Sequence, residues 1–255
     1  MALVRLEVED GVAVVTLDNP PVNSMPIEAV EEMTAIFDTF NDRDDVLAVV
    51  LTGAGKQFCA GADLKPATTG EPEQGYEWRR MRKVREISYS IIECKKPVIA
   101  AVNGAALGAG LGLVASCDIL VASEKAVFGL PEIDVGLMGG GRHAMRILPH
   151  SLVRRMVLTG YRAPARELFD RGVLEACLPP EELMPYAMGI ARQIAAKSPL
   201  AVAYAKDSLA AIENMTLRDG YRYEQGNTNR LKKSDDAKEA VRAFVEKRPP
   251  VFTGR

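Results

Sequence analysis

The chain has 255 residues, 47% of them apolar and 26% charged, with a net charge of −2. That is enough chain to bury a substantial core, as one large domain or as one domain with a helical appendage. The near-neutral balance, with no basic stripe, argues against a nucleic-acid partner but leaves room for a small anionic ligand held by a local cluster of Lys and Arg.

Leu3 to Val8 and Val12 to Leu17 alternate apolar with polar residues and are joined by Asp10-Gly11, the pattern of a β-hairpin. Acidic residues arrive at once in this stretch and no signal-peptide pattern is present, so a cytoplasmic location is expected. Asn19 to Ser24 reads as loop. Pro26 opens a helix that the spacing of Ile27, Val30, Met33, Ile36, Phe37 and Phe40 carries to Phe40. Leu47 to Thr52 is a buried strand, Gly53 to Leu64 a loop of small residues, and Lys65 to Gly75 a polar loop. Tyr76 to Lys95 is an amphipathic helix.

The run from Pro97 to Glu132 organises the rest. It has no charge before Asp118, yet Gly104, Gly108, Gly110, Gly112 and Asn103 interrupt it, which excludes a membrane span. Val98 to Val102 reads as a strand, Asn103-Gly104 as a turn, and Gly108 to Ser116 as a helix whose small side chains let other backbone approach closely. The N-terminus of such a helix offers unpaired N–H groups and partial positive charge, a place to hold a developing oxyanion. Glu132 follows the next strand, where its carboxylate can face the same spot. Gly139-Gly140-Gly141 leads into a helix through Leu148, and Leu152 to Leu158 and Pro164 to Phe169 are helical. Val173 to Leu178 is a short strand. Three helices, starting at Pro180, Pro199 and Thr216, complete the chain to Glu246. Strands alternating with helices, then helices alone, make an α/β protein with a helical C-terminal region.

The familiar chemical motifs are missing. There is no phosphate loop, no GxGxxG and no GxSxG elbow. His143 and His150 lie seven residues apart, which rules out HExxH, and Cys59, Cys94, Cys117 and Cys177 form no CxxC, so no metal site and no disulfide framework is expected. What stands out is a pair of small-residue segments, each following a strand: Phe58 to Leu64 and Asn103 to Gly110. Parallel strands would bring both to one sheet edge, where ligands bind in open α/β sheets. On its residues alone, Glu132 is an exposed acid beside a proline.

Lys56 to Lys65, Lys96 to Gly104, Cys117-Asp118-Ile119, Phe128 to Ile133 and Phe244 to Arg248 together resemble the crotonase superfamily, the enoyl-CoA hydratase/isomerase family, and the resemblance covers nearly the whole chain. It implies a crotonase-like ββα spiral core over residues 1–195 and a helical trimerisation region over 196–255, in a homotrimer or homohexamer. It implies an acyl-CoA thioester as substrate, coenzyme A being part of that substrate, with no separate cofactor and no nucleic-acid or membrane partner. The backbone N–H groups of Ala60 and Ala109 are implied as an oxyanion hole and Glu132 as the general acid/base. Gly61, Ala62, Asp63, Leu64, Gly108 and Pro131 are implied to line the substrate. Lys56 and Lys65 become candidate phosphate partners, and Arg142 and His143 fall near the acyl end, where helix capping is the plainer reading. Gly112 stands where two-glutamate hydratases carry their other acid, and Asp134 is expected to be structural. Hydration of a 2-enoyl-CoA is therefore the leading expectation, with Δ3,Δ2-enoyl-CoA isomerisation or a hydratase-lyase reaction as alternatives. A silent acyl-CoA binder or scaffold is the expectation from another class.

Overall fold

The computed structural model describes residues 2–63 and 74–255. In chain order it contains β1 (Val4–Glu9), β2 (Val12–Leu17), α1 (Ile27–Phe40), β3 (Ala48–Gly53), α2 (Tyr76–Ile92), β4 (Val98–Val102), β5 (Ala105–Leu107), α3 (Ala109–Val114), β6 (Ile119–Ser123) and β7 (Val127–Gly129). A 3-10 turn at Pro131–Val135 is followed by α4 (Gly141–Ile147), α5 (His150–Thr159), β8 (Arg162–Pro164), α6 (Ala165–Asp170) and β9 (Ala176–Leu178). Then come α7 (Pro180–Ala195), α8 (Pro199–Ile212), α9 (Leu217–Leu231) and α10 (Asp235–Glu246).

Six strands form one sheet in the order β1-β2-β3-β4-β6-β9. The β1–β2 hairpin is antiparallel and every later pairing in this sheet is parallel. Parallel strands must be covered on both faces, which is why β3 and β4 carry apolar residues without alternation. Val49, Leu51, Ala100 and Val102 join the core cluster that holds Met33 and Phe37 of α1. The intervening Ala48, Val50, Ile99 and Ala101 face Leu183, Ala187 and Ala191, which the four-residue spacing sets on one side of α7.

A second sheet, β5-β7-β8, lies beyond the C-terminal ends of the first. The sequence did not announce it, because three residues are too few to show a period. The last predicted helix is in fact two. Ser234 breaks it, and its Oγ accepts from Ala237 N to cap α10. The final strand begins at Ala176 rather than Val173, whose N–H turns back to Leu168 O.

The C-terminal helices are fastened to the sheet through Lys206 on α8. This residue is 5% exposed. Its Nζ donates to Ile91 O and Lys96 O, each at 3.0 Å, and pairs with Asp118 Oδ2 at 2.8 Å. Among the described residues no helix is long and apolar enough to cross a membrane.

Candidate active site

Two asparagines shape the small-residue loop after β3. Asn103, at the end of β4, donates its side-chain amide to Gly53 O, Gly55 O and Gln57 O at 2.9, 3.0 and 3.3 Å. Asn23 is 2% exposed and donates to Ala54 O and Gln57 O. Their carboxamides hold four residues here, of which Ala54, Gly55 and Gln57 lie beyond β3 where no regular element holds them. Neither role was read from the sequence. The available signal was a polar residue ending an otherwise apolar run.

The loop then passes between two neighbours. On one side Cys59 N donates to Ala105 O and Leu107 N to Cys59 O, both at 2.9 Å. On the other, Met25 N donates to Gly61 O at 2.9 Å, and Asp63 N to Met25 O at 3.1 Å. The Ala60 amide, expected to hold an oxyanion, is already engaged here: it donates to Val22 O at 3.1 Å. The amide of Ala62 has no backbone acceptor among the described residues. Asp63 N bonds to the Met25 side, so strand alternation turns Ala62 N to the other side, where Cys59 meets β5. Gly61, at φ +112, produces the twist. Of these two alanine amides the open one is therefore that of Ala62, not Ala60. Nothing in a run of two alanines around a glycine tells which N–H a neighbouring strand will take.

The second segment makes the strand-to-helix corner that places α3. Gly108 has φ +54, and its N–H donates to Gly129 O at 2.9 Å. A Cβ added at Gly110 would lie 2.4 Å from Cys59 O, so the close backbone approach expected of this helix is present. Ala109 is the first residue of α3, and its amide has no backbone acceptor among the described residues.

Glu132 completes the arrangement from the 3-10 turn, with Pro131 as its first residue. A Cβ built on Gly108 would sit 2.7 Å from Glu132 Oε1 and 3.8 Å from Gly61 Cα. Three separate stretches thus meet over one glycine. Glu132 Oε2 is buried and has no hydrogen-bond partner among the described residues. Burial raises the pKa of this carboxyl above its ordinary value. A shielded carboxylate oxygen without a partner can take and return a proton.

The chain matches the family model described as enoyl-CoA hydratase/isomerase over residues 7–255. A probable mitochondrial enoyl-CoA hydratase from Dictyostelium discoideum is 36% identical, covering 96% of this chain and 89% of that protein. The carnitinyl-CoA dehydratase of Salmonella typhimurium is also 36% identical, covering 94% of each. Among solved structures, an enoyl-CoA hydratase from Bacillus anthracis superposes with a TM-score of 0.93 at 30% identity, over 99% of this chain and 100% of that one. The chain belongs to the enoyl-CoA hydratase/isomerase family. It is a crotonase-superfamily enzyme with the α/β fold that the sequence implied.

Other residues singled out for this family member fall in different places. Leu64 and Lys65 lie outside the described residues. Lys56 is exposed, as is Ala62. Asp134 reaches the C-terminal end of α5, where a Cβ on Gly160 would meet its Oδ1 at 2.6 Å. Arg142 and His143 do not cap α4; they line a cavity beside it. Among the described residues, a Cβ at Gly112 would meet nothing within 4 Å. Cys59, Cys94 and Cys117 are buried free thiols, and burial pushes Cys59 up to about 12.

Proposed function

We propose that this enzyme holds the carbonyl oxygen of an acyl-CoA thioester on the amides of Ala62 and Ala109 while Glu132 moves protons at the adjoining carbons. The observation that carries the reading is the buried, unpartnered Oε2 of Glu132, in a carboxylate set directly over Gly108. Proton chemistry next to a thioester builds enolate charge on oxygen, and one preorganised amide donor in such a hole is worth roughly 10²–10³ in rate.

In hydration of a 2-enoyl-CoA, Glu132 takes a proton from water as the water oxygen bonds to the β-carbon. The π electrons shift onto the thioester oxygen. The enolate then collapses and its α-carbon takes the proton back from Glu132, so one carboxyl serves both transfers on one face. Similarity to proteins named as hydratases and a dehydratase supports hydration and its reverse as the first reading. The empty space at Gly112 favours a second reading, in which Glu132 alone carries a proton between carbons and moves a double bond from the 3- to the 2-position. Loss of the conjugated-thioester absorbance of crotonyl-CoA tests the first. Its appearance from a 3-enoyl-CoA tests the second. Failure of a bound acyl-CoA to exchange its α-hydrogens with deuterated solvent would leave only a silent binder.

The reading includes assembly into a trimer or hexamer through residues 196–255. Exposed Leu217, Val241, Phe244 and Val245 on α9 and α10 support it. A monomeric sedimentation coefficient at micromolar concentration would remove that part.

A further inference from the structure

A cavity of about 670 Å³ lies between the end of α2, α4 and α8, a size suited to a small ligand. Its position relative to Glu132 is set by two short elements. Gly139, just before α4, would place a Cβ 4.0 Å from Glu132 Oε1. Helix α3 starts at Ala109 in the candidate site and is capped at its far end by Ala115, whose carbonyl accepts from Arg146 Nη1 of the cavity wall at 2.6 Å. Along α3 only Ala109 and Gly112 are not fully buried, and Gly112 faces open space. One turn apart, they present a floor of small residues on α3, which packs against α2 and α4, two of the helices that wall the cavity.

The charges in the cavity wall are mostly spoken for. Arg146 pairs with both oxygens of Glu213 at 2.9 Å. Asp207 accepts from Tyr223 Oη and Asn227 Nδ2, both at 2.8 Å. Lys206 is engaged with Asp118, and Glu93 and Lys95 at the α2 end carry opposite charges. Two groups remain. The Arg142 guanidinium makes one hydrogen bond among the described residues, to Asn214 Oδ1 at 3.3 Å. The half-buried His143 imidazole makes none among them, and burial with the charges of Arg146 and Arg142 lowers its pKa. The exposed Arg142, on the cavity wall, therefore has N–H donors to spare, beside a neutral imidazole able to donate one more.

We propose that the acyl group runs over Gly112 into this cavity and that Arg142, with His143, selects acyl chains whose far end is a carboxylate. The proposal rests on the acyl-CoA reading above and adds the class of acyl group. It makes Gly112 a specificity residue: a side chain there would close the path, and its absence admits a chain longer than crotonyl.

The test compares 2-enoyl-CoA substrates of equal length ending in a methyl or a carboxylate, with crotonyl-CoA as the short reference. A charge-assisted, bidentate contact predicts a preference for the carboxylate of about tenfold or more in kcat/KM. Arg142→Met should bring that ratio close to one, and Arg142→Lys should restore part of it. Gly112→Leu should lower the ratio of long-chain to crotonyl turnover. Crotonyl turnover without any carboxylate preference, or a preference unmoved by Arg142→Met, would overturn the proposal and leave the acyl-CoA reading standing. Absence of turnover and of α-hydrogen exchange with every substrate would overturn both.

Discussion

Glu132 and Lys206 are two charged side chains carried into the protein, and they are treated in opposite ways. Lys206 is almost wholly buried and gives each of its three protons to an acceptor: Ile91 O, Lys96 O and Asp118 Oδ2. Glu132 has one oxygen buried and leaves it with nothing among the described residues. Burying a polar atom without a partner costs about 1–3 kcal/mol, so such an arrangement persists where something outside the folded chain supplies the partner. The satisfied charge fastens α8 to the sheet. The unsatisfied one is held over Gly108, where the proposed reaction would put a reacting group.

The sharpest way to break this comparison is to neutralise each residue and ask what is lost. Glu132→Gln should leave the fold intact and lower turnover by roughly 10²–10⁴, the usual worth of a general acid/base. Circular dichroism and the acyl-CoA assays together check it, and full activity in this variant would remove Glu132 from the chemistry. The backbone donors come next. Replacing the Ala62 amide by an ester, through incorporation of the hydroxy acid, should lower kcat by about 10²–10³. The same change at Ala60 deletes its bond to Val22 O, weakens the Cys59 carbonyl that accepts from Leu107 N, and should cost about 1–2 kcal/mol in stability, with turnover little changed. The reverse ranking would return the oxyanion role to Ala60. Lys206→Met inverts the pattern of Glu132→Gln. It leaves two carbonyls and Asp118 without their buried cation and should destabilise the chain by about 3 kcal/mol in denaturant titration. Crotonyl-CoA turnover per folded molecule should hold, since so short an acyl chain stops before the cavity that Lys206 helps line.

How much of this was legible beforehand follows from the range of the forces involved. The β1–β2 hairpin, α1 and the strand at Val98 to Val102 are written in local pattern, and they form where the pattern puts them. Gly108 and Gly110 were legible as a place of close approach, because only glycine tolerates a Cβ position 2.4 Å from another backbone oxygen. The choice between Ala60 and Ala62 was not, since it depends on which N–H the loop at Val22 captures from a distant part of the chain. The same holds for Asn23 and Asn103, whose carboxamides act across 31 to 50 residues of sequence. Arg146 joins the end of α3 to Glu213 across 67 residues and is likewise a fact of tertiary packing. Lys206 gave no warning either, for a lone lysine in an Ala-rich helix reads as a solvated one.

The smallest expected effect separates the two charges by pH. Burial raises the Glu132 pKa above its ordinary 4.5, so the folded state favours the neutral form more than the unfolded chain does. The stability this carboxyl contributes is complete at low pH, where it is protonated in both states. It is lost as pH rises through the folded pKa, because ionising it in place then works against folding. Glu132→Gln carries the same shape without that loss. The melting temperatures of the two proteins should therefore coincide most closely in acid, with the variant drawing ahead as the pH is raised toward neutral. The gap should then level off once Glu132 is ionised in both states. A gap of the opposite sign, with the parent protein the more stable at neutral pH, would mean that the folded chain already satisfies this carboxylate, as it does Lys206, and the distinction between a fastening charge and a working one would fail.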